Sequence, residues 1–350
     1  MKSIKVKNKL IGNNNPIFYI AEAGVNHNGS FKIAKKLIDI ASDVGADAVK
    51  FQSFNTDEII IPNGPKAKYH DQTVGKKKSW FSLLKSQEMS VKMHIDLIKY
   101  CKKKKIIFLS TPYDYKSAYL LNRLKISAFK IASTENDNFL LLEKIIKFNK
   151  PILISTGMTN FEEVKDIISF FKKKKFNKFV LMQCTGNYPS DLTDANLNVI
   201  QKYKEVFNCN VGYSDHTLNN ISTLVAIGKG AKVIEKHFTI DKKMYGPDHR
   251  MSLSPDELKD SIKQVRLAEQ ALGSSNKIVL KCEIDNRKKL KKSIVTGSEI
   301  KRGQIIETKN IKIKRPGNGL RPKLINKIVG MRARINIKPN KLFTFKMLKK

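Results

Sequence analysis

The chain has 350 residues, 41% apolar and 28% charged, with a formal net charge of +36 at neutral pH. That length allows two domains, or one large and one small, and no apolar run approaches a membrane span. The charge first suggests nucleic acid or an anionic membrane, but only nine of the 67 basic residues are arginine and the lysines scatter over short runs, such as 102–105 and 172–175, with no aromatic-interleaved stripe.

In chain order, MKSIKVKNKLIGNNNP lacks the apolar stretch of a secretory signal, so a cytoplasmic protein is expected. Eight short apolar runs follow: FYIAEAG (18–24), DAVKFQSF (47–54), IIFLSTP (106–112), AFKIAS (128–133), PILISTG (151–157), FVLMQCT (179–185), NVGYSDHT (210–217) and VIEKHFT (233–239). Amphipathic stretches such as SFKIAKKLIDIASDVGA lie between them. After the last run, Ser254 can cap a helix, Pro255 suits its first position, and Asp256 and Glu257 suit its positive end. Eight alternating strand–helix units predict an α/β fold of the (β/α)8 barrel type; a doubly wound sheet is the alternative. Cys101, Cys184, Cys209 and Cys282 form no CxxC motif, so neither a zinc knuckle nor a redox pair is indicated.

Past residue 274 the pattern changes. A polar connection is followed by short β-like segments, and IKRGQIIETKNI (300–311) resembles IKPNKLFTFKML (337–348). The expected division is a barrel over 1–275, a linker over 276–292 and a small domain over 293–350. Some sixty residues is close to the minimum for independent folding.

The apolar runs end in polar residues, and alternation puts positions two apart on one side. Lys50 and Gln52 therefore share a side, as do Ser214 and His216, and Glu235 and His237; Lys236 has the opposite parity and is left out. In a barrel these strand ends meet at the mouth where catalysis occurs. His216 and His237, on strands about 4.8 Å apart, could share a divalent ion, or each could be a core histidine bonded to Asp215 or Glu235. His27 and His249 read as loop or rim residues. Lys50 and Lys130, in otherwise apolar strands, could be Schiff-base nucleophiles, snorkelling surface lysines, or counter-charges for an anion, with Thr111, Ser133, Ser155 and Ser214 around them. Glu22 suits a general base or a hydroxyl-binding group.

IAEAGVNHNGSF, AVKFQSF, STPYD, FKIAS, ILISTGM, QCTGNYPS, GYSDHT, EKHF, GPDH and KRPGNGL, in that order, resemble the sialic acid synthase family over nearly the whole chain. Its members condense phosphoenolpyruvate with an N-acetylated mannosamine-type sugar. The resemblance implies a TIM barrel followed by an antifreeze-like (SAF) domain, and a homodimer in which that domain covers the partner's barrel mouth. It implies that His216 and His237 bind manganese or magnesium, and that Lys50, Thr111, Lys130, Ser133, Ser155 and Ser214 hold phosphoenolpyruvate. Glu22, Gln52, Tyr188 and Asp248 would contact the sugar, Glu235 a water or sugar hydroxyl, and Arg315 the sugar's acyl group across the dimer. Gly186 stands where some members have asparagine, and Asn187 is the expected substitute. GYSDHT and GPDHRMSL look more like the neuraminic and legionaminic branches than the pseudaminic one. Another phosphoenolpyruvate-dependent barrel synthase or aldolase, and a basic nucleic-acid binding protein, are the competing readings.

Overall fold

A computed structural model describes residues 2–67, 70, 74–75 and 79–350. Ten strands belong to its first part: β1 Ile4–Val6, β2 Lys9–Ile11, β3 Phe18–Gly24, β4 Ala48–Ser53, β5 Ile107–Pro112, β6 Phe129–Ile131, β7 Ile152–Ser155, β8 Phe179–Cys184, β9 Asn210–Asp215 and β10 Val233–His237. β3 to β10 form one eight-stranded sheet in the order β5-β4-β3-β10-β9-β8-β7-β6, every ladder parallel. The pairing of β3 with β10 joins the first barrel strand to the last, so the sheet curls into a nearly closed (β/α)8 barrel. The strands stop one or two residues short of several predicted runs because those residues turn out of the ladder; His216 lies just past the end of β9.

Strand parity sorts the core into two layers. Tyr19, Phe51, Phe129, Ile154, Leu181 and Ile234 point outward and pack under the helices. Phe18, Ile20, Leu109, Leu153, Met182 and Val233 fill the barrel interior. Ile4, Val6 and Ile11, from the antiparallel β1–β2 hairpin, join that inner layer and plug it. Gly212 allows β9 and β10 to close: a Cβ there would meet both Cβ and O of Val233 at 2.9 Å.

The intervening helices are capped from their own sequence. Ser30 accepts from the Ile33 amide to start helix Phe31–Asp43. Asn160 and Glu163 form a capping box on helix Phe161–Lys173. Ser254 and Glu257 do the same for helix Pro255–Leu272, with Pro255 at its first position, as the sequence predicts.

Clustering of contacts divides the chain into two compact units, Met1–Gly273 and Ser274–Lys350. In the second unit the suspected repeat is structural. Ile300 and Ile337 exchange backbone hydrogen bonds of 3.0 and 2.8 Å. Ile300, Ile306 and Ile311 correspond to Ile337, Phe343 and Leu348, each pair 37 residues apart; five of the six are buried in that unit's apolar core, and Ile311 packs against it, partly buried. Each copy closes with a short 3-10 turn, Thr308–Asn310 and Phe345–Met347. Among the described residues, no helix is long and apolar enough to cross a membrane.

Candidate active site

Inward-facing positions change character along the barrel axis. On β3 the inward series runs Phe18, Ile20, Glu22; on β10 it runs Val233, Glu235, His237. The apolar members fill the lower interior, and the polar members line a cavity of about 430 Å³ at the carboxyl ends of the strands. Glu22, Lys50, Gln52, Thr111, Lys130, Ser133 and Ser155 all line it. So do Tyr188, Ser214, His216, Glu235, His237 and Asp248.

At its floor lies a buried charge cluster. Lys50 Nζ is 2.9 Å from Glu22 Oε1, 2.9 Å from Thr111 Oγ1 and 3.8 Å from Glu235 Oε2. Lys130 Nζ donates to Ser155 Oγ at 2.8 Å and lies 3.4 Å from Glu235 Oε1, which also accepts from Ser214 Oγ at 3.0 Å. The four charges do not behave alike. Burial pushes the Glu22 carboxyl up to about 7, with Lys50 opposing and Glu235 adding to the rise. Glu235 is held below the usual carboxylate range, because Lys130 and Lys50 together outweigh its burial. Burial lowers Lys130 against the pull of Glu235, whereas Glu22 and Glu235 raise Lys50 despite its burial. One carboxylate is thus firmly ionised beside another that can hold a proton near neutrality, the separation an acid–base pair needs.

A second polar focus stands above this floor. Gly24, at a bulge in β3 with φ +52°, would carry a Cβ within 3.4 to 3.5 Å of Glu22 Oε1, Asp248 Oδ2 and Gln52 Nε2. Those three groups therefore converge on one small volume, fit to bind neighbouring hydroxyls.

The imidazoles of His216 and His237 lie 5.6 Å apart, and Tyr188 packs at 4.0 Å on His216 and edge-on at 5.8 Å to His237. His216 Nδ1 donates to the Thr185 carbonyl at 2.7 Å, and against the effect of burial Cys184 raises this imidazole above its ordinary pKa. His237 Nδ1 is buried without a hydrogen-bond partner, 3.9 Å from Asp248 Oδ2. Burial, reinforced by His216 and the lysines, holds His237 well below its ordinary pKa and so neutral. Neither histidine is bonded to Asp215 or Glu235, the structural alternative considered from sequence. Two imidazoles beside a carboxylate, one of them held neutral with an unpaired Nδ1, fit a divalent first-row ion. Among the described residues, no three His, Cys, Asp or Glu side chains close on one point, so such an ion would take its remaining ligands from water or substrate oxygens.

Lys236 points to the outer face. Its Nζ donates to Asp215 Oδ2 at 2.6 Å and to the carbonyls of Thr217 and Asn219 at 2.9 and 2.8 Å. Asp215 Oδ2 also accepts from the hydroxyls of Ser222 and Thr223 at 2.8 and 2.7 Å. This buried knot ties the strand end before His216 to the one before His237.

Three expectations are corrected by the geometry. Asn187 does not line the cavity; it is exposed and its amide donates to the Pro189 carbonyl. The space beside Gly186 is taken by Met158 instead, whose Cγ lies 2.7 Å from where a Cβ would stand. His27 and His249 are not rim residues but fully buried, and His249 Nδ1 pairs with Thr239 Oγ1 at 2.6 Å. Sequence reasoning also passed over Cys184, which shares the inward parity of Met182 and comes within 3.8 Å of His216 Nδ1, and Gln87, Trp80 and Leu84, which line the cavity from helix Trp80–Gln87. Arg315 belongs to the second unit.

The description of the NeuB family matches residues 37–277, and that of the SAF domain matches residues 291–349. The chain belongs to the NeuB family. The N-acetylneuraminic acid (sialic acid) synthetase of Leptospira borgpetersenii, solved with citrate, superposes with a TM-score of 0.73 at 33% identity, covering 81% of this chain and 95% of that one. Among relatives, this NeuB-family chain is 43% identical to the N,N'-diacetyllegionaminic acid synthase of Campylobacter jejuni, over 92% of its own length and 97% of the relative's. It is 34% identical to the human N-acetylneuraminate-9-phosphate synthase, over 93% and 91%.

Proposed function

We propose that this protein condenses phosphoenolpyruvate with the open-chain form of an N-acylated mannosamine-type sugar, giving a sialic or legionaminic acid and phosphate. The observation that carries this reading is the buried pair of lysines facing a pair of unequal carboxylates, below the His216 and His237 imidazoles in a NeuB-family barrel. Lys50 and Lys130, with Thr111, Ser133, Ser155 and Ser214, counter the phosphate and carboxylate of phosphoenolpyruvate; being already in place, they need no reorganisation as charge moves. Glu22, Gln52, Tyr188 and Asp248 hold the sugar. His216 and His237 would hold manganese or magnesium, which when bound polarises the aldehyde oxygen as a Lewis acid.

The bond forms between C3 of phosphoenolpyruvate and the aldehyde carbon, leaving positive charge at C2. Water adds at C2, and phosphate leaves as the C2–O bond breaks. Glu235, ionised between its lysines, can take the proton of that water, while Glu22 can exchange a proton with the sugar hydroxyl it faces. Relatives named legionaminic acid synthase, pseudaminic acid synthase and N-acetylneuraminate-9-phosphate synthase support a nonulosonic acid product, the first at 43% identity and the other two at 34% each.

The reading carries a cytoplasmic homodimer in which Arg315 of each SAF domain serves the other subunit's sugar. Its test is an end-point assay with manganese, phosphoenolpyruvate and, in turn, N-acetylmannosamine and 2,4-diacetamido-2,4,6-trideoxymannose. Phosphate release matched by a keto acid of the condensed mass is expected with one of them. Absence of both signals with every sugar sinks the proposal. A borohydride-trapped adduct on Lys50 or Lys130 would point to a Schiff-base aldolase, and tight, steeply salt-dependent nucleic-acid binding without turnover to the reading of another class.

A further inference from the structure

Helix Trp80–Gln87 starts at its cap, Ser79, and turns one face toward the cavity. Trp80, Leu84 and Gln87, at helical spacings of four and three, all line it. The first two are apolar. The third is a primary carboxamide, 2% exposed, and neither its Oε1 nor its Nε2 has a hydrogen-bond partner. Buried polar side-chain atoms are nearly always satisfied, and an amide bare at both ends is costly to fold. Methionine or leucine would fill the same space without that cost. A group retained at such a cost, in the wall of a substrate cavity, calls for a ligand that completes it.

We propose that Gln87 is a specificity-determining residue of the sugar pocket, its carboxamide pairing with an acylamino substituent of the sugar: Nε2 donates to the acyl carbonyl and Oε1 accepts from the amide N–H. This rests on the proposed synthase reading and extends it to a residue outside the charge cluster. A secondary amide presents one acceptor and one donor, as the carboxamide does in reverse. A phosphate or carboxylate would satisfy Nε2 but repel Oε1. Trp80 and Leu84, on the same helix face, offer apolar surface for the acyl methyl.

The test compares wild type with Gln87→Leu and Gln87→Met, using manganese, phosphoenolpyruvate and whichever acetamido sugar releases phosphate. In both variants the sugar KM should rise about tenfold, the loss of one to two neutral hydrogen bonds, with the KM for phosphoenolpyruvate unchanged. The preference in kcat/KM for the acetamido sugar over mannosamine, its free-amino counterpart, should fall by a similar factor. Tm should stay level or rise, since the substitution removes a desolvated amide. An unchanged sugar KM and preference, or a joint rise of both KM values with a falling Tm, would overturn the assignment and leave Gln87 as a packing residue. Should the wild type release no phosphate, the synthase reading fails first, and calorimetric titration of the acetamido sugar decides this one. A tenfold weaker affinity in Gln87→Leu supports it; equal affinity, or no binding to either protein, overturns it.

Discussion

Glu22 and Glu235 face the same lysines yet take opposite shifts, and the difference follows from their contacts. Glu235 reaches both Lys130 and Lys50, at 3.4 and 3.8 Å, and accepts a hydroxyl hydrogen bond; Glu22 has Lys50 alone within ion-pair distance. Each was legible as a polar residue at a strand end, and its parity placed it inside. Its charge state was not legible, because that depends on which ammonium comes within reach across the barrel. The histidines behave similarly. With His216 anchored on Thr185 and His237 free at Nδ1, His216→Ala or His237→Ala should lower kcat by more than the roughly 100-fold that marks the upper end for residues supporting a metal ligand. Near-normal turnover in both, in manganese-supplemented assays, would end the metal assignment. Gly186 shows the limit of motif comparison: the asparagine found there in some members is displaced by Met158, a residue 28 positions earlier.

At the level of strands, β9 and β10 carry much of the site and are fastened to each other on both faces. The outward Asp215–Lys236 pair is buried, with side chains 0% and 3% exposed. Removing one partner of such a pair leaves an uncompensated charge and costs about 3–5 kcal/mol, whereas replacing both costs far less. Lys236→Met should therefore lower the urea-unfolding free energy by that amount, and Asp215→Asn combined with Lys236→Met should recover a large part of it. Equal losses in single and double variants would show that the pair does not act as a unit. Inside, Gly212→Ala should cost about 1–3 kcal/mol by overpacking, because its methyl meets the Val233 carbonyl, a backbone atom that cannot rotate away. Thermal melts would check this; an unshifted Tm would mean that the β9–β10 spacing is looser than described.

For the whole molecule, the proposed exchange of SAF domains makes a prediction that no single site can. His237→Ala removes a residue of the barrel, Arg315→Ala one of the small domain. In a swapped dimer, a heterodimer of the two variants holds one doubly defective site and one intact site. Co-expression should then restore about one quarter of wild-type sites if subunits pair at random. Activity no higher than that of the single variants would show that Arg315 serves its own barrel, or none.

The sequence by itself determined the barrel, the shared sides of Lys50 and Gln52, of Ser214 and His216 and of Glu235 and His237, and the capping of helix Pro255–Leu272. These follow from local periodicity: a two-residue alternation fixes which side chains share a face, and eight strand–helix units leave few ways to close. Only the tertiary structure decided that the N-terminal hairpin plugs the barrel, that Met158 stands beside Gly186, that Lys236 answers Asp215, and that Gln87 reaches the cavity with a bare amide. Each of those depends on which distant segment supplies the neighbour, and the energy of a buried polar group is set by that neighbour rather than by its place in the chain.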